Sequence, residues 1–143
     1  MKVDNSKYGK YVLREPRVST SPQNQVPIYV NSDVNDEVTL DIAFDFCTSL
    51  DDIGPIPPPH KHDFDEYIFF LGGNPQNYLD FGAEIDICLG SGEDQETYTI
   101  DTAAFVYVPK GLIHMPMTYK KVDKPIITGH IFLAPKWSME LVE

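Results

Sequence analysis

Along residues 37–46 apolar and polar side chains alternate. Val38, Leu40, Ile42, Phe44 and Phe46 fall on one face, and Thr39, Asp41, Ala43 and Asp45 on the other. A period of two predicts a half-buried strand. Residues 67–71, Tyr-Ile-Phe-Phe-Leu, are apolar on both faces and end at Gly72-Gly73-Asn74-Pro75. This predicts a strand covered on both sides, with a subunit contact as one way to cover the second. Residues 83–89 alternate again, and Gly90-Ser91-Gly92-Glu93-Asp94 turns the chain into 95–100, a hairpin with a loop longer than the tightest type. Further strands are expected at 105–108, 113–119 and 125–133. Residues 8–14 suggest one short strand within an N-terminal arm, 1–25, whose second half (18–25) is a Ser/Pro/Gln-rich connector. The remainder, 26–143, is expected to form one domain. Only the tail, 137–143, suggests a helical turn. A set of roughly nine or ten short strands with regular turns argues for an all-β sandwich or barrel.

Composition agrees with that reading. A chain of 143 residues suits one domain with a substantial core. Eight Tyr and eight Phe favour strand, and 12 Pro with 9 Gly supply frequent turns. Eleven basic against 22 acidic residues give a net charge of −11, which repels phosphate backbones and argues against nucleic acid as a partner. It leaves room for an anionic small molecule, because a bound dication dominates its local field. Cys47 and Cys88 make no disulfide framework and suit a reducing cytosol. The first residues contain no apolar signal core, and no apolar run is long enough to span a membrane, so a cytoplasmic protein is expected.

The chemistry is concentrated in two short blocks. One contains His60, His62 and Glu66; the other runs Pro109, Gly111, His114. Imidazole nitrogen and carboxylate oxygen together suit a divalent first-row metal. Pro57-Pro58-Pro59 favours an extended backbone into His60. In an extended chain residues two apart share a face, so His60 and His62 can converge while Lys61 points away.

The spacing G-x5-H-x-H-x3-E-x6-G from Gly54 to Gly73, followed by P-x-G-x2-H at Pro109–His114, resembles the two motifs of the cupin superfamily. The glycine expected six residues before Pro109 is Ala103, and the asparagine expected four after His114 is Thr118; neither departure removes a ligand. The resemblance implies a double-stranded β-helix barrel of jelly-roll type, often a homodimer. It also implies one bound metal with His60, His62, Glu66 and His114 as ligands. Mn, Fe, Zn, Ni and Co all suit three imidazoles and a carboxylate. Four protein ligands on a six-coordinate ion would leave two positions for exchange.

His130 is the remaining histidine and by alternation shares a face with Thr128 and Phe132. If that face looks inward, His130 is a candidate acid or base beside the metal; an outer or subunit-contact position is the alternative. Tyr67, Tyr107 and Tyr119 can donate to a ligand or simply pack. Arg14 and Arg17, the only arginines, lie in the arm, and Lys110 suits a solvated turn. The function expected is metal-dependent oxygenation, decarboxylation or isomerisation of a compact small molecule carrying carboxylate or carbonyl oxygens. The alternative is a cupin that binds a ligand without turnover or serves only structurally.

Overall fold

A computed structural model describes residues 5–17 and 28–142. Ten strands are present among them: β1 (Ile28–Val30), β2 (Asp41–Cys47), β3 (His60–Lys61), β4 (Glu66–Gly72), β5 (Ala83–Leu89), β6 (Glu96–Ile100), β7 (Ala104–Val108), β8 (His114–Val122), β9 (Ile126–Phe132) and β10 (Glu140–Leu141). They form two five-stranded sheets, ordered β1-β2-β9-β4-β7 and β10-β3-β8-β5-β6. Every pairing is antiparallel. From β3 onward the chain crosses between the sheets at every connection except the β5–β6 hairpin, the topology of a jelly-roll sandwich. The expected all-β fold is the observed one.

The core lies between the sheets. Phe70 of β4, Ile85 and Ile87 of β5 and Ile126 of β9 are all fully buried. Burying each such side chain contributes about 1.5–3 kcal/mol relative to leaving it in water. Beyond the second sheet the surface is charged. Glu84 and Asp86, which alternate with the buried residues of β5, pair with Lys120 of β8 at 2.8 and 3.3 Å.

The outer face of the first sheet is quite different. β2 alternates as its sequence predicts, but its buried residues are Asp41, Ala43 and Cys47, while Phe44 and Phe46 are 43 % and 51 % exposed. Register explains the inversion. Phe44 lies opposite Gly129 of β9, which lies opposite Phe69 of β4. A Cβ on Gly129 would come within 1.9 Å of the Ala43 carbonyl oxygen and 2.6 Å of the Phe69 ring, so the aromatic rings close over a position only glycine fits. Phe44, Phe69 and Phe105 form a ladder across the sheet, with ring centroids 5.3 and 5.6 Å apart. Tyr67 and Tyr107 pair beside it at 5.1 Å.

Both ends of the chain differ from expectation. Residues 8–14 form no strand beyond a single bridge at Arg14. The segment Gly9–Tyr11 is a 3-10 turn, closed by Gly9 N–H to Ser6 O, Tyr11 N–H to Tyr8 O and Val12 N–H to Gly9 O. Lys10 pairs with Glu37, and Tyr29 N–H donates to Pro16 O, so the described part of the arm docks on its own chain. The connector 18–25 lies outside the described residues. The tail forms β10 rather than a helical turn. Glu140 pairs with Lys61 and Leu141 with His60, which satisfies the otherwise open edge of β3.

Candidate metal centre

The proline run carries the chain in extended form to His60, and β3 lays His60 directly opposite His114 of β8. Glu66 opens β4 in the facing sheet. The turn before His114 is locked to the first block. Gly111, at φ +84°, lets Leu112 N–H close on Pro109 O at 3.0 Å. The Gly111 N–H donates to His62 O at 3.0 Å, and the Lys110 N–H donates to Asp65 Oδ1 at 2.8 Å. Backbone bonds between distant segments thus bring the two blocks into one site.

His60, His62, Glu66 and His114 are 2, 5, 4 and 0 % exposed. One ligand atom from each of the three histidines lies within 4.8 Å of the others. Each Nδ1 faces a backbone carbonyl: Pro58 O at 2.6 Å for His60, Ser138 O at 2.5 Å for His62 and Leu112 O at 3.0 Å for His114. A carbonyl only accepts, so each Nδ1 carries the hydrogen and each Nε2 presents a lone pair. Those lone pairs converge. His60 and His62 bring Nε2 atoms to 3.2 Å, and Glu66 Oε2 lies 3.0 Å from His62 Nε2 and 3.1 Å from His114 Nε2.

Glu66 and His114 approach closely without hydrogen-bond geometry, so Glu66 Oε2 and His114 Nε2 are buried with no partner. Burial alone would raise the Glu66 carboxyl. When His114 and His62 carry a proton on Nε2, their hydrogen bonds and positive charge outweigh burial and draw its pKa down to about 2. Without a metal the carboxylate thus depends on a proton held by those rings. Burial lowers the pKa of His60, opposing a charged ring there, with further lowering from His114 and His62. A carboxylate facing imidazole lone pairs in a desolvated space costs several kcal/mol unless a cation joins it, whether a proton on the rings or a metal ion. Orphaned atoms, donor types and anchored Nδ1 hydrogens all fit a divalent metal.

His130 lies on the inner face of β9, level with Ala43 and Ile68, outside this cluster. Its Nε2 lies 2.8 Å from Asp41 Oδ1, and its ring stacks on Phe132 at 3.9 Å. Tyr119 is the one inward tyrosine of the three, 3.5 Å from Thr128 Oγ1, with burial pushing its pKa up to about 12. Tyr67 and Tyr107 pack outside. Arg14 and Arg17 are exposed, and Lys110 pairs with Asp63 at 2.9 Å as a turn lysine. Cys47 and Cys88 are free thiols, and burial raises Cys47 to about 11.

Sequence reasoning missed Asp41, Asn31 and the Ser138 carbonyl. Asp41 sits on the polar side of an alternating strand, where a buried acid and a solvated one look alike. Ser138 reaches His62 only because the tail forms a strand, and no local pattern announced that.

No protein-family model matches the chain, and no curated protein sequence does. Solved structures do. A mutant of Bacillus subtilis oxalate decarboxylase is similar over 88 % of this chain and 30 % of its own, with TM-score 0.56 and 13 % identity. An oxalate oxidase in complex with the substrate analogue glycolate is similar over 89 % of this chain and 59 % of its own, with TM-score 0.52 and 12 % identity. Another structure of the decarboxylase, described for its Mn(II) centres, matches at TM-score 0.55 and 13 % identity over 86 % of this chain and 29 % of its own. The chain therefore spans less than two thirds of each of these proteins, all of them cupins, and shares with them the double-stranded β-helix fold.

Proposed function

We propose that this protein is a metal-dependent cupin acting on a compact, oxygen-rich small molecule, a carboxylate or carbonyl compound, by oxygenation, decarboxylation or isomerisation. The observation that carries the reading is the convergence of a buried Glu66 carboxyl with three buried imidazole Nε2 atoms, with Glu66 Oε2 and His114 Nε2 left without a partner. His60, His62, Glu66 and His114 would hold one divalent ion. Bound there, the ion would act as a Lewis acid on ligand oxygen. It would also supply the positive charge that an acidic ligand needs. From Lys10 to Lys136, every described lysine is paired with a surface carboxylate. Carboxylate substrates among the structural neighbours support this ligand class.

The active form is a homodimer in a reducing, cytoplasmic setting. What supports the dimer is the outer face of the first sheet, where Ile42, Phe44, Phe46, Ile127, Ile131 and Phe105 form one uncharged surface on a chain of net charge −11. Two such acidic chains meet with least repulsion through a face without charge.

The test is a metal-by-substrate screen. Protein loaded with Mn(II), Fe(II), Co(II), Ni(II) or Zn(II) is offered small dicarboxylic, 2-oxo and 2-hydroxy acids while CO2 release, O2 uptake and isomer formation are followed. Metal-dependent turnover that falls at least about 100-fold in Glu66→Gln, with circular dichroism unchanged, is the expected result. Stoichiometric metal without turnover of any compound would replace the enzyme by a binding or structural cupin.

A further inference from the structure

His130 is held unlike the other three histidines. Its Nε2 faces the Asp41 carboxylate at 2.8 Å, and the other Asp41 oxygen accepts from Asn31 Nδ2 at 3.2 Å. Asp41 is 2 % and Asn31 7 % exposed, and Asn31 Oδ1 in turn accepts from the Asp33 N–H at 2.9 Å. A carboxylate takes the imidazole hydrogen, so neutral His130 carries it on Nε2 and leaves Nδ1 as the proton-accepting nitrogen. The ring plane is fixed by Phe132, stacked at 3.9 Å and 10°. The imidazole is 23 % exposed although its anchor is only 3 % exposed, so a rigidly held ring opens onto accessible space.

Phe132 links this group to the metal centre. It lies across from Glu66 in the β4–β9 register, and its ring sits 5.3 Å from that of His62. His130 is two residues further along the same face of β9, about 7 Å at strand rise. With the Phe132 ring 3.9 Å from that of His130 and 5.3 Å from that of His62, the two imidazole centres lie no more than about 9 Å apart, within reach of a small ligand held by the ion.

We infer that His130 moves a proton, through Nδ1, to or from a ligand held at the His60–His62–Glu66–His114 cluster, and that Asp41 and Asn31 are its positioning residues. This rests on the metal-centre reading and narrows its chemistry. A proton leaving a carbon next to a carbonyl forms the Nδ1–H bond as the C–H bond breaks, and its electron pair passes into the enolate. Where that carbon also carries a hydroxyl, return of the proton to the former carbonyl carbon, with the hydroxyl hydrogen passing to the former carbonyl oxygen, completes an isomerisation. Delivery of a proton from the Nδ1–H imidazolium to the carbanion left by loss of CO2 completes a decarboxylation. Either step needs one group that holds one proton and no external oxidant. The imidazolium places its charge against Asp41, as the base of a catalytic triad does against its carboxylate.

The test uses the full-length protein loaded with zinc, which is diamagnetic, and long-range 1H–15N NMR of the imidazoles across pH 5–9. Besides Asp41, the titratable groups facing this part of the interior include Asp45 and Cys47 of β2, Glu66 of β4, Tyr119 of β8 and His62 beside Phe132; of these residues Asp41 bonds the ring. The expected spectrum has neutral His130 in the Nε2–H form. Asp41→Ala should mix the two neutral tautomers, since the acceptor that holds the hydrogen on Nε2 is gone. Diethyl pyrocarbonate should acylate one histidine per chain, and none in His130→Gln. Turnover of any substrate found in the screen should fall about 100-fold in His130→Gln, with metal content unchanged. An Nδ1–H tautomer, a tautomer indifferent to Asp41→Ala, or a His130 inert to the reagent would each overturn the inference. Loss of the metal reading shows separately, as absent zinc in the wild-type chain.

Discussion

Two groupings of histidine and carboxylate occupy the inner faces of the sheets, and they differ in what holds the imidazoles. In the cluster at β3, β4 and β8, backbone carbonyls take the Nδ1 hydrogens and force three Nε2 lone pairs together around Glu66. At β9 a side-chain carboxylate takes the Nε2 hydrogen, and the ring is partly exposed. The first arrangement is incomplete without a cation; the second is complete as it stands. The anchor, more than the histidine, decides between metal ligand and proton carrier.

The comparison breaks most visibly under added metal. At a concentration 100 times its dissociation constant, a bound ion stabilises the fold by about 2.7 kcal/mol, which moves the thermal midpoint by roughly 5–10 °C. Differential scanning fluorimetry should show that shift in the wild type and in His130→Gln, and none in His114→Ala. A shift surviving in His114→Ala would move the ion away from the cluster.

Removing the anchor of the other grouping should act in the opposite way. Asp41→Ala leaves Asn31 Nδ2 and His130 Nε2 without their buried acceptor and should cost about 2–4 kcal/mol in urea unfolding. The metal-induced shift should remain. If Asp41→Ala instead abolished metal binding, the groupings would be one site and the contrast would collapse.

Acid sharpens the contrast more gently. The folded pKa of His60 lies below 6.5 and that of Glu66, about 2, lies below 4.5. Both groups bind protons more readily when unfolded. Their contribution to stability is therefore present above the unfolded values and is lost as pH falls through the folded ones. Metal-free protein should lose stability progressively from about pH 6.5 downward, first through His60 and below pH 4.5 also through Glu66. Glu66→Gln should remove the part below pH 4.5, as chemical denaturation at each pH would reveal.

A change on the outer face should disturb neither grouping. Phe105 is 58 % exposed at the rim of the aromatic ladder. Phe105→Lys should convert a dimer, of about twice 16.2 kDa, to monomer in light scattering while leaving the metal-induced shift intact. A wild-type chain that is already monomeric would leave that face without its proposed partner.

How far the sequence spoke depends on the range of the forces involved. Alternation in β5 and the doubly apolar β4 were legible because period and burial are local properties of a strand. The cluster was legible because cupin-like spacing preserves it, and Gly111 and the proline run fold the two blocks locally. The inner face of β2 was not: which side of an alternating strand is buried depends on Gly129 and Phe69, both distant in sequence. Asp41 was hidden for the same reason, and β10 because its pairing compensates an open edge made far upstream.

The most direct measurement is the metal content of purified, untagged protein by elemental mass spectrometry, beside a His60→Ala/His62→Ala variant. One transition-metal ion per wild-type chain, absent from the variant, is the predicted result, and the element found would select the chemistry to assay. A wild-type chain that stays metal-free after refilling with Mn, Fe, Co, Ni and Zn, or a variant that keeps its ion, would contradict the account.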